Sequence, residues 1–243
     1  MTIDDNKAVW DNSQWLEQGE EWSEWWGTSA AQWYWTILPR IYPYLPAGTI
    51  LEIAPGCGRW TKFLIEYCKL LIGVDLTSHC IDVCRERFPK RHLFFVNDGK
   101  SLDCVADGSI DFCFSYDSLV HCDDSVIVAY LEQLARKLRH EGVAFLHHSN
   151  AGANKNKGIG GRDPVMTAEK FAGYCQKFGL ACVSQELVDW STEGLLTDCH
   201  SIIRLGPSCQ TLVVSNPGRW KDQHLYASGI TAEEIHKRIL AIK

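Results

Sequence analysis

The sequence predicts an α/β fold, a doubly wound and mostly parallel sheet with helices on both faces. Three observations lead there. Short apolar runs alternate with helical patterns through the middle of the chain, as in βαβ units. The runs are almost continuously apolar, as in strands covered on both sides. The first run ends in the punctuation Pro55-Gly56-Cys57-Gly58, a sharp strand-to-helix turn.

The elements follow in order. Thr49 to Ala54 reads as the first strand and Arg59 to Cys68 as a helix. Leu70 to Leu76 is the second strand, and Ser78 to Phe88 is a helix with Ile81, Cys84 and Phe88 on one face. Leu93 to Val96 and Ile110 to Ser115 are the third and fourth strands. Ser125 to Leu138 gives the clearest helix, because Ile127, Tyr130, Leu131, Leu134 and Leu138 fall on one stripe and Asp123 or Asp124 can cap it. Gly142 to His147 is the fifth strand. After Gly179 the pattern changes. Leu180 to Trp190, His200 to Leu205 and a further candidate at Thr211 to Ser215 read as an antiparallel edge. A capping box at Thr231 and Glu234 predicts a short terminal helix.

Composition narrows the function. With 46% hydrophobic and 22% charged residues in 243, the chain can bury a core, so disorder is excluded. The net charge of −6 argues against nucleic-acid partners. No apolar run reaches the roughly 18 residues of a membrane span, and Met1 to Asp5 carries no secretory pattern. The 11 cysteines include no C-x-x-C pair, which suits reduced thiols in the cytoplasm. Either a monomer or a homodimer is compatible with these properties.

Open α/β sheets bind ligands at the C-terminal ends of their strands, and four signals fall there. Gly56 and Gly58 fit the first two places of a dinucleotide grip, but Thr61 stands at the third, which counts against a nicotinamide-dependent oxidoreductase. Asp75 ends the second strand, where a carboxylate can take both ribose hydroxyls. Asp98, in Asn97-Asp98-Gly99, can meet an adenine amino group. The fourth signal is Tyr116-Asp117-Ser118-Leu119-Val120-His121.

Taken together, Glu52-x-Ala54-x-Gly56-x-Gly58, Asp75, Asp98 and the lead-in Ser109 to Phe112 resemble the class I S-adenosylmethionine-dependent methyltransferases, over roughly residues 48 to 150. The runs ILEIAPGCGRWTKFL, NDGKSL and LHHSN are similar to bacterial small-molecule and sugar methyltransferases of glycan and natural-product pathways. The resemblance implies a Rossmann-like sheet of seven strands with an antiparallel last strand, and S-adenosylmethionine as cofactor. It places Glu52, Ala54, Gly56, Gly58 and Arg59 around the glycine loop, and Asp75, Leu76, Asp98, Gly99 and Tyr116 along the nucleoside and methyl end. Ala54 departs from the glycine most often found there.

The acceptor is then a small molecule. A hydroxyl needs a base, and His121 together with His147 and His148 follows strands four and five; only one of the adjacent pair can face a pocket. Asp117 is a candidate to orient that base. Carboxylate or amine methylation is the alternative, and a non-catalytic adenosyl-binding protein is the reading from a different class. No ligand spacing supports a metal at Asp117, His121, Asp123, His148 and Asn150.

Two segments flank this core. Seven of the ten tryptophans lie between positions 10 and 35, and Trp15, Trp22, Trp26 and Trp33 form nearly one helical stripe interrupted by Gly19 and Gly27. Residues 1–47 are therefore expected to form a helical cover, with Trp22, Trp26 and Trp33 against the acceptor, on a methyltransferase domain of residues 48–243. The loop Asn150 to Pro164 follows strand five and holds Lys155, Lys157 and Arg162. Asn150 and Arg162 are expected at the acceptor, where the basic excess can steer an anion.

Overall fold

The computed structural model describes residues 1–154, 161–190 and 194–217, and positions 237 and 241. The expected terminal helix at Thr231, and Lys155 and Lys157, lie outside the described residues.

The N-terminal segment is α1 (Ile3–Asp11), a 3₁₀ turn Glu20–Trp26, then α2 (Ser29–Gln32), a wide π-type turn Trp33–Ile37 and α3 (Leu38–Ile41). Thr2 and Asp5 cap α1 reciprocally. Gly19 and Gly27 bound the 3₁₀ turn at positive φ, so the tryptophan stripe is broken as its glycines predict. In the π-type turn Leu38 N–H reaches back to Trp33 O, just ahead of Pro39, which has no N–H to continue a regular ladder.

The core then alternates: β1 (Ala47–Ile53), α4 (Thr61–Leu64), β2 (Cys68–Asp75), α5 (Ser78–Arg87), β3 (Leu93–Val96), β4 (Ile110–Ser115), α6 (Asp124–Lys137) and β5 (Leu138–Ser149). It continues with α7 (Ala168–Lys177), β6 (Leu180–Val188), β7 (Asp198–Leu205) and β8 (Leu212–Asn216). The helix α7 had no counterpart in the sequence reading. Its N-terminus is capped by Thr167, which accepts from Lys170 N–H.

Among the described residues eight strands form one sheet in the order β3-β2-β1-β4-β5-β7-β6-β8. Strands β1 to β5 pair in parallel, β7 runs antiparallel to both β5 and β6, and β8 joins β6 in parallel. The expected count of seven is therefore one short. The antiparallel strand is the seventh, but it is inserted between β5 and β6, and β8 extends the edge.

Side-chain alternation builds two cores. Phe112, Phe114 and Tyr116 of the β4 run point to a layer with Trp33, Ile37, Ile41, Trp60 and Phe88. Cys113 faces the other way, into a layer with Leu131 and Leu134 of α6 and Phe171 of α7. A buried ion pair ties the N-terminal segment to the far half of the sheet. Arg40 Nε and Nη2 donate to the two Glu186 oxygens at 2.6 and 2.7 Å. No helix among the described residues is long and apolar enough to cross a membrane.

Candidate active site

A cavity of about 310 Å³ opens at the C-terminal ends of β1, β2 and β4. Its floor is the glycine loop. Ala54, at φ +58, donates its N–H to Val74 O at 2.7 Å and accepts from Ser118 Oγ at 3.2 Å. That left-handed backbone explains the preference for glycine at this place, since an L side chain there costs about 1 kcal/mol. Gly56, also at positive φ, lies against the cavity. A Cβ on it would meet the Trp15 ring at 3.2 Å.

One end of the cavity is formed by Asp75, Leu76 and Gly99 with Ile3 of α1 and Tyr130 of α6. Asp75 Oδ2 accepts from Gly56 N–H at 2.9 Å, and Oδ1 accepts from Thr77 N–H at 2.9 Å. Burial raises its carboxyl above the ordinary range against these bonds. Bare backbone at Gly56 and Gly99, a carboxylate at the end of β2, and Thr61 at the third grip position fit an adenosyl ligand without a pyrophosphate.

Three residues expected at the cofactor lie elsewhere. Glu52 is buried beneath the loop, accepts from Thr61 Oγ1 at 2.6 Å, and is pushed up to about 8 by burial, so it is neutral at pH 7. Gly58 points away from the cavity, packed on Phe88. Asp98 is exposed and closes its own turn, accepting from Lys100 and Ser101 N–H at 3.1 and 2.7 Å. Its neighbour Asn97 instead donates to Tyr130 Oη at 3.0 Å.

At the other end, Tyr116, Asp117, Arg59, His121 and Arg162 line the cavity. Asp117 is held at φ +64, a strained position for a non-glycine residue. Its N–H donates to His147 Nδ1 at 3.0 Å. Its carboxylate takes Arg59 Nη2 at 3.0 Å and stands 3.8 Å from Arg162 Nη2. Arg59 also reaches Ser23 Oγ at 3.3 Å and lies over the Trp60 ring.

The three histidines divide by what their ring nitrogens already do. His147 accepts at Nδ1, so its proton sits on Nε2 and faces Asp198 Oδ2 at 3.0 Å. His148, on the opposite face of β5, donates from Nδ1 to Ser149 O at 2.9 Å and accepts from Ser201 Oγ at 2.8 Å. It stacks on Phe171 with centroids 3.9 Å apart. Neither ring has a spare lone pair, and neither lines the cavity, so both are corrected from candidate bases to buried structural groups. His121 differs. Its Nδ1 donates to Gly161 O, which leaves the Nε2 lone pair with no partner among the described residues. Burial, and then the Arg162 charge, hold its pKa below the usual histidine value.

The aromatic cover is composed differently from the expected stripe. Trp22 lines the cavity together with Trp10 and Trp15, and Trp10 stands 5.6 Å from the His121 ring. Trp33 is wholly buried in the core, stacked on Phe63 at 5.1 Å, and does not line this cavity. Trp26 backs Trp190 at 5.8 Å, and Trp190 lines the wall. Asn150 is also displaced from the site, because it braces the chain between Leu196 O and Ala168 N–H. Trp10 was within the tryptophan-rich run and could have been included. Trp190 carries no local signal, since only the sheet brings the end of β6 to this cavity. Among the described residues no group of three or more His, Cys, Asp or Glu is arranged to hold a metal ion.

Residues 50–142 match a family model described as a methyltransferase domain. An S-adenosylmethionine-dependent methyltransferase from Clostridium acetobutylicum ATCC 824 superposes with a TM-score of 0.58 at 14% identity, covering 72% of this chain and 91% of that one. One from Methanosarcina mazei gives a TM-score of 0.56 at 16% identity, over 70% and 98%. The tRNA (carboxymethyluridine(34)-5-O)-methyltransferase ALKBH8 of Mus musculus is 33% identical over 113 residues, 45% of this chain. The chain spans only 16% of the length of that relative. The fold is the one seen in these solved S-adenosylmethionine-dependent methyltransferases. Residues 50–142 are similar to a methyltransferase domain, and the cavity lies within the part of the sheet that this match covers.

Proposed function

We propose that the protein methylates a hydroxyl of a small molecule, a sugar or a natural product, with His121 as the general base. The observation that carries this reading is the lone pair of His121 Nε2, left open at the cavity by the hydrogen bond from Nδ1 to Gly161 O. S-adenosylmethionine, bound in the cleft, supplies an electrophilic methyl group. Gly56, Gly99, Leu76 and Asp75 would hold its nucleoside, and Arg59 would supply the cation for its methionyl carboxylate. Trp10, Trp15 and Trp22 exclude water from the acceptor end. His121 takes the hydroxyl proton at Nε2 as the oxygen bonds to the methyl carbon; the methyl–sulfur bond breaks, and its electron pair leaves on the sulfur of S-adenosylhomocysteine. A cytoplasmic enzyme of a glycan or natural-product pathway suits the cysteine usage, and the negative net charge suits a small acceptor better than a nucleic acid.

A second reading is favoured by the curated relatives, whose names place the methyl group on an oxygen of a carboxymethyluridine in tRNA. A carboxymethyl group ends in a carboxylate, which needs no base. The two readings separate by product and by pH. An acceptor screen read by S-adenosylhomocysteine release is expected to yield an alkali-stable methyl ether. Its rate should rise with pH through a value below the ordinary histidine pKa and be flat above pH 7. His121→Asn should lower turnover about 100-fold or more. An alkali-labile ester formed at a pH-independent rate, with His121→Asn fully active, overturns the first reading.

A further inference from the structure

We propose that Arg162 is an anion subsite beside His121, so that the acceptor carries an acidic group, a carboxylate or a phosphate monoester, close to the hydroxyl that is methylated. This rests on the hydroxyl reading above and names its substrate class.

The guanidinium of Arg162 is buried, with 5% of the side chain exposed, yet it forms part of the cavity wall. Two of its nitrogens are committed. Nε and Nη2 donate to Asp198 Oδ1 and Oδ2 at 3.0 and 2.8 Å. Nη1 has no partner among the described residues. Nη1 is not among the fully buried polar atoms that lack a partner, so this nitrogen opens to the cavity, where it can donate to a ligand. The group is also held rigid. Its carbon lies 4.3 Å over the Trp190 ring, and Trp26 supports that ring from behind.

The position of this cation relative to the base is fixed by the backbone. Gly161 O takes the His121 Nδ1 proton, and Asp163 N–H donates to Val120 O at 2.9 Å. Arg162 lies between these two ties, so the open Nη1 and the open Nε2 of His121 belong to one wall. A planar guanidinium edge matches carboxylate and phosphate oxygens, and charge-assisted bonds of that kind are stronger than bonds to a neutral hydroxyl. An acid held there orients a neighbouring hydroxyl towards His121. Asp198 accepts its two hydrogen bonds from Nε and Nη2, so an anion at Nη1 adds to the pair and displaces nothing.

The test uses S-adenosylhomocysteine-loaded protein titrated with D-glucuronate, D-glucose 6-phosphate and D-glucose, followed through the indole N–H resonances of Trp10 and Trp190. The acids should bind about tenfold or more tightly than glucose. The two acid arms distinguish carboxylate from phosphate. Arg162→Met should erase the advantage while S-adenosylhomocysteine affinity stays within about twofold. If stranding Asp198 prevents that variant from folding, Arg162→Met/Asp198→Asn removes both charges and carries the same comparison. Equal binding of all three probes, binding by none, or an acid preference retained without Arg162 overturns the proposal. His121→Asn should keep the acid preference, so loss of turnover with that preference intact strikes only the base reading.

Discussion

At the scale of single residues, the site turns on which polar groups are already satisfied. His147, His148 and His121 are chemically alike, and their ring hydrogen bonds alone make two of them scaffolding and leave one with an open nitrogen. Glu52 shows the same logic for a carboxyl. Burial raises it to about 8 from an ordinary value of 4.5, so it folds neutral while the unfolded chain carries it charged above pH 4.5. Its contribution to stability is full below about pH 4.5 and is lost as the pH rises towards 8. Glu52→Gln should therefore match the parent near pH 5 and exceed it by about 2 kcal/mol or more at pH 8. Urea unfolding at the two pH values checks this. A gap that does not widen with pH removes the neutral-glutamate account.

At the scale of elements, the glycine loop and α5 are fitted to each other. A Cβ on Gly58 would stand 2.4 Å from Phe88 Cε2, at φ +91, where an L side chain is strained whatever the space. Gly58→Ala should cost about 2 kcal/mol or more and weaken S-adenosylhomocysteine binding, although Gly58 does not face the cavity. Calorimetric titration and thermal melts would show the two losses together, and unchanged cofactor affinity would separate the loop from α5. The sequence made this loop legible because glycine spacing and a strand end are local. It did not make Asp98 legible: Asp in an Asp-Gly pair closes a turn as readily as it meets a ligand, and here it bonds Lys100 and Ser101. Trp33 departs from its expected place for a related reason. A stripe of tryptophans has the same spacing whether its ring enters a core or a pocket, and Trp33 entered the core against Phe63.

At the scale of the whole molecule, the far half of the sheet holds a dense set of buried ionisable groups. Glu186 and Asp198 would be raised by burial, but Arg40 and Arg162 hold them well below the carboxylate range. His148 is lowered to about 3 by burial, far below the ordinary 6.5. The unfolded chain then binds a proton below pH 6.5 that the folded protein refuses. The stability is full above that value and falls as the pH drops towards 3. The decrease should reach about 2 kcal/mol between pH 6.5 and 5, and His200, lowered to about 4, acts in the same direction. Urea midpoints across this range should slope less steeply in His148→Gln. An unchanged slope would assign the acid sensitivity elsewhere.

The amino-acid sequence by itself determined the alternating α/β core, the glycine turn and the carboxylate ending β2. These rest on apolar periodicity and on backbone freedom within a few residues. Only the tertiary structure decided the insertion of β7 beside β5, the eighth strand, and which histidine keeps an open nitrogen. Pairing His147 with His200 and His148 with Cys199 sends the two histidine rings to opposite faces. Trp10, Trp190, Arg162 and His121 meet through contacts between residues 28 to 111 positions apart in the chain. Such meetings depend on how the sheet is ordered and twisted, and no local pattern of residues encodes that.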